Sequence, residues 1–237
     1  MRRLRKTDLL VEELPIRRPK GAQPRFIAVS CEGTPGRIKG NFRTRQVHKQ
    51  ERAPFSSVGL LVGGEDGTAT TAWLVAPNAI LTAAHPLRAR RSFYFGLQYS
   101  RTGGGLWTRV VRSATLQGWL EHRDYRCDLA ICLLEHPFQA PPLRPEPLPA
   151  QLPHECLVIG YSFGTATLWQ SHCRDLCWKP QGATVSTDLT EGSSGGPWLV
   201  RKGGRYLPVG LTSRGGEGFL TSPSWGQGCL NLLDWLQ

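Results

Sequence analysis

Three short segments of this chain carry residue types that together can attack a carbonyl. Residues 190–199 read TEGSSGGPWL, with Ser193 and Ser194 side by side among glycines. A serine hydroxyl is a weak nucleophile until a nearby base takes its proton. His85 closes the apolar run ILTAAHPL at residues 80–87 and supplies an imidazole that can act as that base. Asp128, in YRCDLAICLLE at 125–135, sits at the mouth of another apolar run. A carboxylate there needs a partner, because a buried unpaired charge is costly. Each segment has a plain alternative when taken singly: a flexible Gly-Ser turn, a half-buried histidine, a loop aspartate beside Asp124. As a set, alcohol, imidazole and carboxylate describe acyl transfer. Backbone N–H groups of a glycine-rich loop would be free to face a developing oxyanion.

Such residues must be brought together by the elements around them. From Pro54 onward the chain runs as short segments rich in small, β-branched and aromatic residues, among them FSSVGLLVG, TATTAWLVA, FYFGLQYS, DLAICLLE, CLVIGYSF, GPWLVR and YLPVGLTS. Gly, Pro, Asp and Asn punctuate them. Many short strands between turn signals predict an all-β chain, not alternating strand and helix. Residues 137–153, PFQAPPLRPEPLPAQLP, cannot continue a central sheet, since proline lacks the ladder donor. They read as a linker between a first β unit at 54–136 and a second at 154–228. The tail 229–237 places Cys229, Leu232, Leu233 and Leu236 at helical spacing and predicts a short amphipathic helix.

The net charge of +11 is unevenly spread: residues 1–53 hold 14 Lys+Arg against 5 Asp+Glu, and the remainder holds 15 against 13. The basic character belongs to this N-terminal arm, which reads as extended and is either a solvated leader or a pro-segment. An anionic partner for it, nucleic acid or an acidic surface, is the alternative, although no dense basic block interleaves with aromatics there. The arm has no apolar core of signal-peptide length, and the chain has no run of 18 apolar residues that would span a membrane. Seven cysteines is an odd count and leaves the compartment open. His172, Cys173 and Cys177 lack a second ligand pair at zinc-finger spacing, so no metal and no cofactor are expected.

The order His85, Asp128, Ser194 on an all-β background resembles that of chymotrypsin- and trypsin-like serine proteases. TAAH resembles the family's histidine motif, DLA its aspartate motif and GSSGGP its GDSGGP serine motif. VIGYSFG, then TLWQS, then TDLTEGSSGGP follow the order seen in the glutamyl-endopeptidase-like branch. The resemblance runs from about Pro54 to the end. It implies two antiparallel six-stranded β-barrels with the active site between them, and a protein or peptide substrate. It implies that Ser194, next to Gly-Gly-Pro, is the nucleophile, with His85 as base, Asp128 as its partner, and the N–H groups of Gly192 and Ser194 as oxyanion hole. Ser193 stands where animal members carry the aspartate that receives the new N-terminus on activation, so that style of activation is not implied.

Further correspondences concern substrate. Asp188 falls six residues before Ser194, where trypsin has the carboxylate of its primary pocket, which implies cleavage after Arg or Lys. Ser213 and Gly215 match the positions that pair with the substrate backbone. Thr212 stands where glutamate-specific members use a histidine. The family implies an extracellular or periplasmic location, whereas the opening residues show no signal peptide. Rival readings are an inactive protease-like binding module, an esterase with the same three groups, and a nucleic-acid-binding protein led by the arm.

Overall fold

The computed structural model describes residues 9–13, 25–26, 40–65, 67–87, 92–101 and 104–236. Three strands come from the first 53 residues: β1 (Leu9–Glu13), β2 (Arg25–Phe26) and β3 (Phe42–Gln46). The rest of the arm lies outside the described residues. Six strands of the first half follow: β4 (Val58–Gly63), β5 (Thr68–Ala76), β6 (Ala79–Thr82), β7 (Phe93–Ser100), β8 (Gly104–Leu116) and β9 (Ala130–Leu134). They pair in the order β8-β7-β4-β5-β6-β9, and β8 pairs with β9, which closes the ladder into a six-stranded barrel. β1 lies antiparallel along β8 and β2 lies parallel along β5.

Of these, β4, β5, β6 and β9 read as near-continuous apolar runs because both of their faces are covered. Leu61, Leu74, Ile80, Phe95, Val110 and Cys132 fill the barrel interior. The alternate residues Val58, Leu60, Trp73, Leu81 and Ile131 face outward, yet they are buried against Ile159, Tyr161, Leu199 and Leu211 of the second half and against Leu232 and Leu233 of the C-terminal helix. Fully burying each such side chain contributes roughly 1.5–3 kcal/mol, so this shared layer holds the halves together.

The second half contains β10 (Cys156–Tyr161), β11 (Leu168–Cys173), β12 (Cys177–Lys179), β13 (Gly182–Ser186), β14 (Pro197–Lys202), β15 (Arg205–Leu211), β16 (Arg214–Gly216) and β17 (Phe219–Ser222). It departs from the expected closed six-stranded ladder. Its strands form one five-stranded sheet, β15-β14-β10-β11-β3, and one four-stranded sheet, β12-β13-β17-β16. The physical reason is visible at β11: its outer edge is taken by β3, with Arg43 opposite His172 and Thr44 opposite Ser171. The two sheets enclose their own core of Val158, Val185, Trp198, Val209 and Leu220.

The stretch 137–153 carries no strand and is tied to the first half: Phe138 N–H donates to the Pro77 carbonyl, Leu143 N–H to that of Leu74, and the Trp73 indole to the Leu143 carbonyl. The C-terminal helix, α2 (Gln227–Asp234), begins two residues before the expected start. A second helix, α1 (Gln117–His122), was not expected; it ends at Arg123 in the left-handed region. Six residues are too few for the helical period to show in sequence. Among the described residues, no helix is long and apolar enough to cross a membrane.

Candidate active site

His85, Asp128 and Ser194 lie 43 and 66 residues apart along the chain, and each sits in a connection within three residues of a regular element. His85 follows β6 through the buried pair Ala83-Ala84. Asp128 lies between a 3-10 turn at Tyr125–Cys127 and β9. Ser194 lies in the loop that leads into β14. Their side chains meet. His85 Nδ1 is 2.8 Å from Asp128 Oδ2, and His85 Nε2 is 3.1 Å from Ser194 Oγ. A carboxylate only accepts, so Nδ1 carries the proton and Nε2 is left to accept from the serine hydroxyl.

Asp128 is completely buried, and its charge is compensated by donors on every side. Oδ1 accepts from the backbone N–H groups of Ala84 and His85, each at 2.8 Å. Oδ2 accepts from His85 and from the Ser213 hydroxyl. The two backbone donors belong to the histidine's own segment, so the same carboxylate fixes both the ring and the chain that carries it. Trp119, from α1, sets its ring edge against His85 at 6.4 Å between centroids.

The serine loop is set by its glycines and by the first half. Gly192 has φ +88 and Gly195 φ +79, both in the region that favours glycine. A Cβ on Gly195 would stand 2.2 Å from the Thr71 carbonyl and from Thr82 Oγ1. Thr70 and Thr71 of β5 clamp the loop. Thr71 N–H and Thr70 Oγ1 both donate to the Ser194 carbonyl, and Thr71 Oγ1 donates to the Gly192 carbonyl at 2.7 Å. Gly195 N–H is taken by the Thr212 carbonyl and Gly196 N–H by that of Ser193. Among the described residues, the N–H groups of Gly192 and Ser194 have no protein acceptor.

The two adjacent serines differ in use. Ser193 Oγ donates to the Thr190 carbonyl at 2.6 Å and closes the turn. Only Ser194 Oγ reaches the imidazole.

Other residues singled out in sequence fall around this centre. Ser213 and Gly215 sit at and beside β16, which is the edge of the four-stranded sheet. Asp188 is half-buried, and its carboxylate accepts a hydrogen bond from the Thr44 hydroxyl of β3. No described cation pairs with it. Thr212 is buried, with its Oγ1 accepting from the Trp198 indole at 3.0 Å. Sequence reasoning missed Thr70, Thr71 and Trp119, and it missed the contact of the Ser213 side chain with Asp128. None of these carries a local signal, because each acts across a contact between distant segments. Among the described residues, no three of His, Cys, Asp and Glu gather as metal ligands. The six described cysteines are unpaired; Cys31 lies outside the described residues.

The arrangement is that of a base poised on an alcohol at a junction of two β units. The trypsin-like peptidase domain family matches residues 70–210, and the chain belongs to that family. Solved structures agree on the fold. A Glu endopeptidase is 18% identical, with 84% of this chain and 98% of that chain covered at a TM-score of 0.70. The protease Anisep from Arthrobacter nicotinovorans is 16% identical, with 81% and 98% covered at 0.68. The thermostable serine protease AL20 from an extremophilic microorganism is 20% identical, with 76% and 96% covered at 0.64. The fold is chymotrypsin-like. No curated protein sequence matches significantly.

Proposed function

We propose that the protein is a serine endopeptidase that works through an acyl-enzyme, with Ser194 as nucleophile, His85 as general base and then acid, and Asp128 as the group that orients and stabilises the imidazolium. One observation carries the reading: His85 stands between a buried carboxylate at 2.8 Å and a serine hydroxyl at 3.1 Å. Ser194 Oγ attacks the scissile carbonyl as its proton passes to His85 Nε2. The tetrahedral oxyanion is held by the N–H groups of Gly192 and Ser194, each worth roughly 3 kcal/mol of transition-state stabilisation. Nε2–H then protonates the leaving amine, and water, activated by the same nitrogen, releases the acyl group.

The substrate's acyl-side residues add as a strand to the edge presented by Ser213 and Gly215. Asp188 forms the floor of the primary pocket and pairs with Arg or Lys of the substrate. Its half-buried carboxylate without a described cationic partner supports this. A buried Thr212 hydroxyl already accepting from Trp198 speaks against glutamate as the preferred residue.

A fluorophosphonate probe, followed by identification of the modified residue, tests the proposal. Labelling at Ser194, lost in Ser194→Ala with the thermal melt unchanged, is expected. A folded protein that does not react is a binding module. One that reacts but hydrolyses only esters is an esterase.

A further inference from the structure

A line of rings leads outward from the imidazole. His85 touches Trp119, Trp119 meets Tyr125 edge-on at 5.6 Å, and the Arg214 guanidinium stands 4.4 Å above the Tyr125 ring. Arg214 belongs to the edge strand β16 and faces a cavity of about 490 Å³. The strand register puts Arg214 opposite Thr221, and Thr221 opposite Thr184, so these three share one sheet face and form the cavity wall. Lys179, Arg123 and Arg126 complete its rim.

The charges of this cavity are one-sided. Among the described residues its only carboxylate is Asp124, which is already committed: Arg126 donates to both of its oxygens, the closest contact being 2.6 Å. Arg126 holds the Asp124 carboxyl below its ordinary value. Arg123 lies over the Trp119 ring at 5.4 Å and Arg214 over Tyr125, so both are held by aromatic faces and not by carboxylates. Among the described residues, Arg123, Lys179 and Arg214 have no ion-pair partner. Three uncompensated cations at the rim of a cavity beside a free strand edge favour an anion.

We propose that this cavity is a specificity subsite for an acidic side chain, Asp or Glu, lying two to four residues before the scissile bond. The inference rests on the endopeptidase reading, because the peptide is taken to run along β16. It adds a second recognition element whose charge is opposite to that of the residue at the primary pocket. Arg214 is the central element, since it alone belongs both to the edge strand and to the cavity. Gly215 and Gly216 beyond it carry no side chain that would fill the space.

The test uses fluorescein-labelled peptides that contain one Arg and either Glu or Gln at the first, second or third place before it. Binding is measured by anisotropy on the Ser194→Ala protein, so that it does not depend on turnover. At one of the three places Glu is expected to bind roughly tenfold more tightly than Gln, with the advantage shrinking at high salt. Arg214→Ala removes the advantage and Arg214→Lys keeps part of it. Lys179→Ala, on the opposite rim, weakens it and serves if Arg214→Ala does not fold. Equal affinity for Glu and Gln at all three places overturns the subsite. Probe labelling of the unsubstituted protein separates the two proposals. A protein that labels at Ser194 without a Glu advantage loses the subsite alone; one that shows the advantage without labelling loses the peptidase reading alone.

Discussion

The peptide N–H of Thr71 donates to the carbonyl oxygen of Ser194 at 2.9 Å, so a strand of the first barrel holds the backbone of the proposed nucleophile. The same residue's hydroxyl donates to the Gly192 carbonyl and accepts from the Tyr161 N–H at 2.9 Å. One threonine thus joins three segments: β5, β10 and the serine loop. Gly192 and Ser194 are also the residues whose N–H groups would take the oxyanion. Displacement of this loop therefore acts on the hydroxyl and on the hole together.

Thr71→Val keeps the shape and removes the hydroxyl. It leaves the Tyr161 N–H and the Gly192 carbonyl without their partner, which costs about 2 kcal/mol of stability. The acylation rate should fall further than KM changes, because the oxyanion donors lose their support. Thermal melts and stopped-flow acylation measure the two effects. An unchanged melt together with unchanged acylation would remove the clamp from the account.

Ser213→Ala deletes a side chain and leaves the backbone of the substrate edge intact. The lost hydrogen bond goes to a buried carboxylate, an interaction worth about 1.5–3 kcal/mol. A fall of about 10- to 100-fold in kcat with KM nearly constant is expected. A raised KM at constant kcat would assign Ser213 to substrate binding alone.

Asp188→Ala addresses the primary pocket. If the carboxylate pairs with a substrate cation, removing it costs about 3–5 kcal/mol. Peptides with Arg or Lys before the scissile bond should lose about 100-fold or more in kcat/KM, and peptides with Leu there should lose nothing. Equal losses across both peptide sets would point to disruption of β3 instead.

The cysteines give a prediction about pH. Burial pushes the thiols of Cys132 and Cys229 up to about 12. At pH 8 both remain neutral and shielded, whereas Cys177 is exposed. Iodoacetamide with mass mapping should modify Cys177 first and leave Cys132 and Cys229 intact until unfolding. The linkage has a definite sign. An unfolded thiol ionises near 9.0 and these two do not, so the folded state loses stability as pH rises above that value. A melt that stayed flat from pH 8 to 10 would contradict it.

Much of the site was legible because its three groups each stand beside an apolar run, His85 after one and Asp128 and Ser194 before one, and such runs are what a rigid strand looks like in sequence. The choice between Ser193 and Ser194 came by resemblance. In the structure the Ser193 hydroxyl donates to the Thr190 carbonyl, while that of Ser194 lies against the imidazole. Strands β4, β5, β6 and β9 were readable as apolar runs, but their near-continuous burial hid the period-two pattern that would have shown which face looks inward. The split of the second half into two sheets was not legible. It depends on β3, whose residues FRTRQ look like the rest of a basic arm. The charges of that segment lie on exposed positions, and its pairing is made by backbone groups that composition does not report.

The same strand ties the N-terminal arm to the residue proposed for the primary pocket. Thr44 of β3 holds the Asp188 carboxylate. Proteolytic trimming that stops before Gly40 would leave this tether in place. A cut after Ala53 would strip the neighbour from β11, expose a bare sheet edge and release the anion assigned to receive the substrate's cation. Shortening of the N-terminus therefore has a structural boundary, at β3, beyond which it alters the surroundings of Asp188.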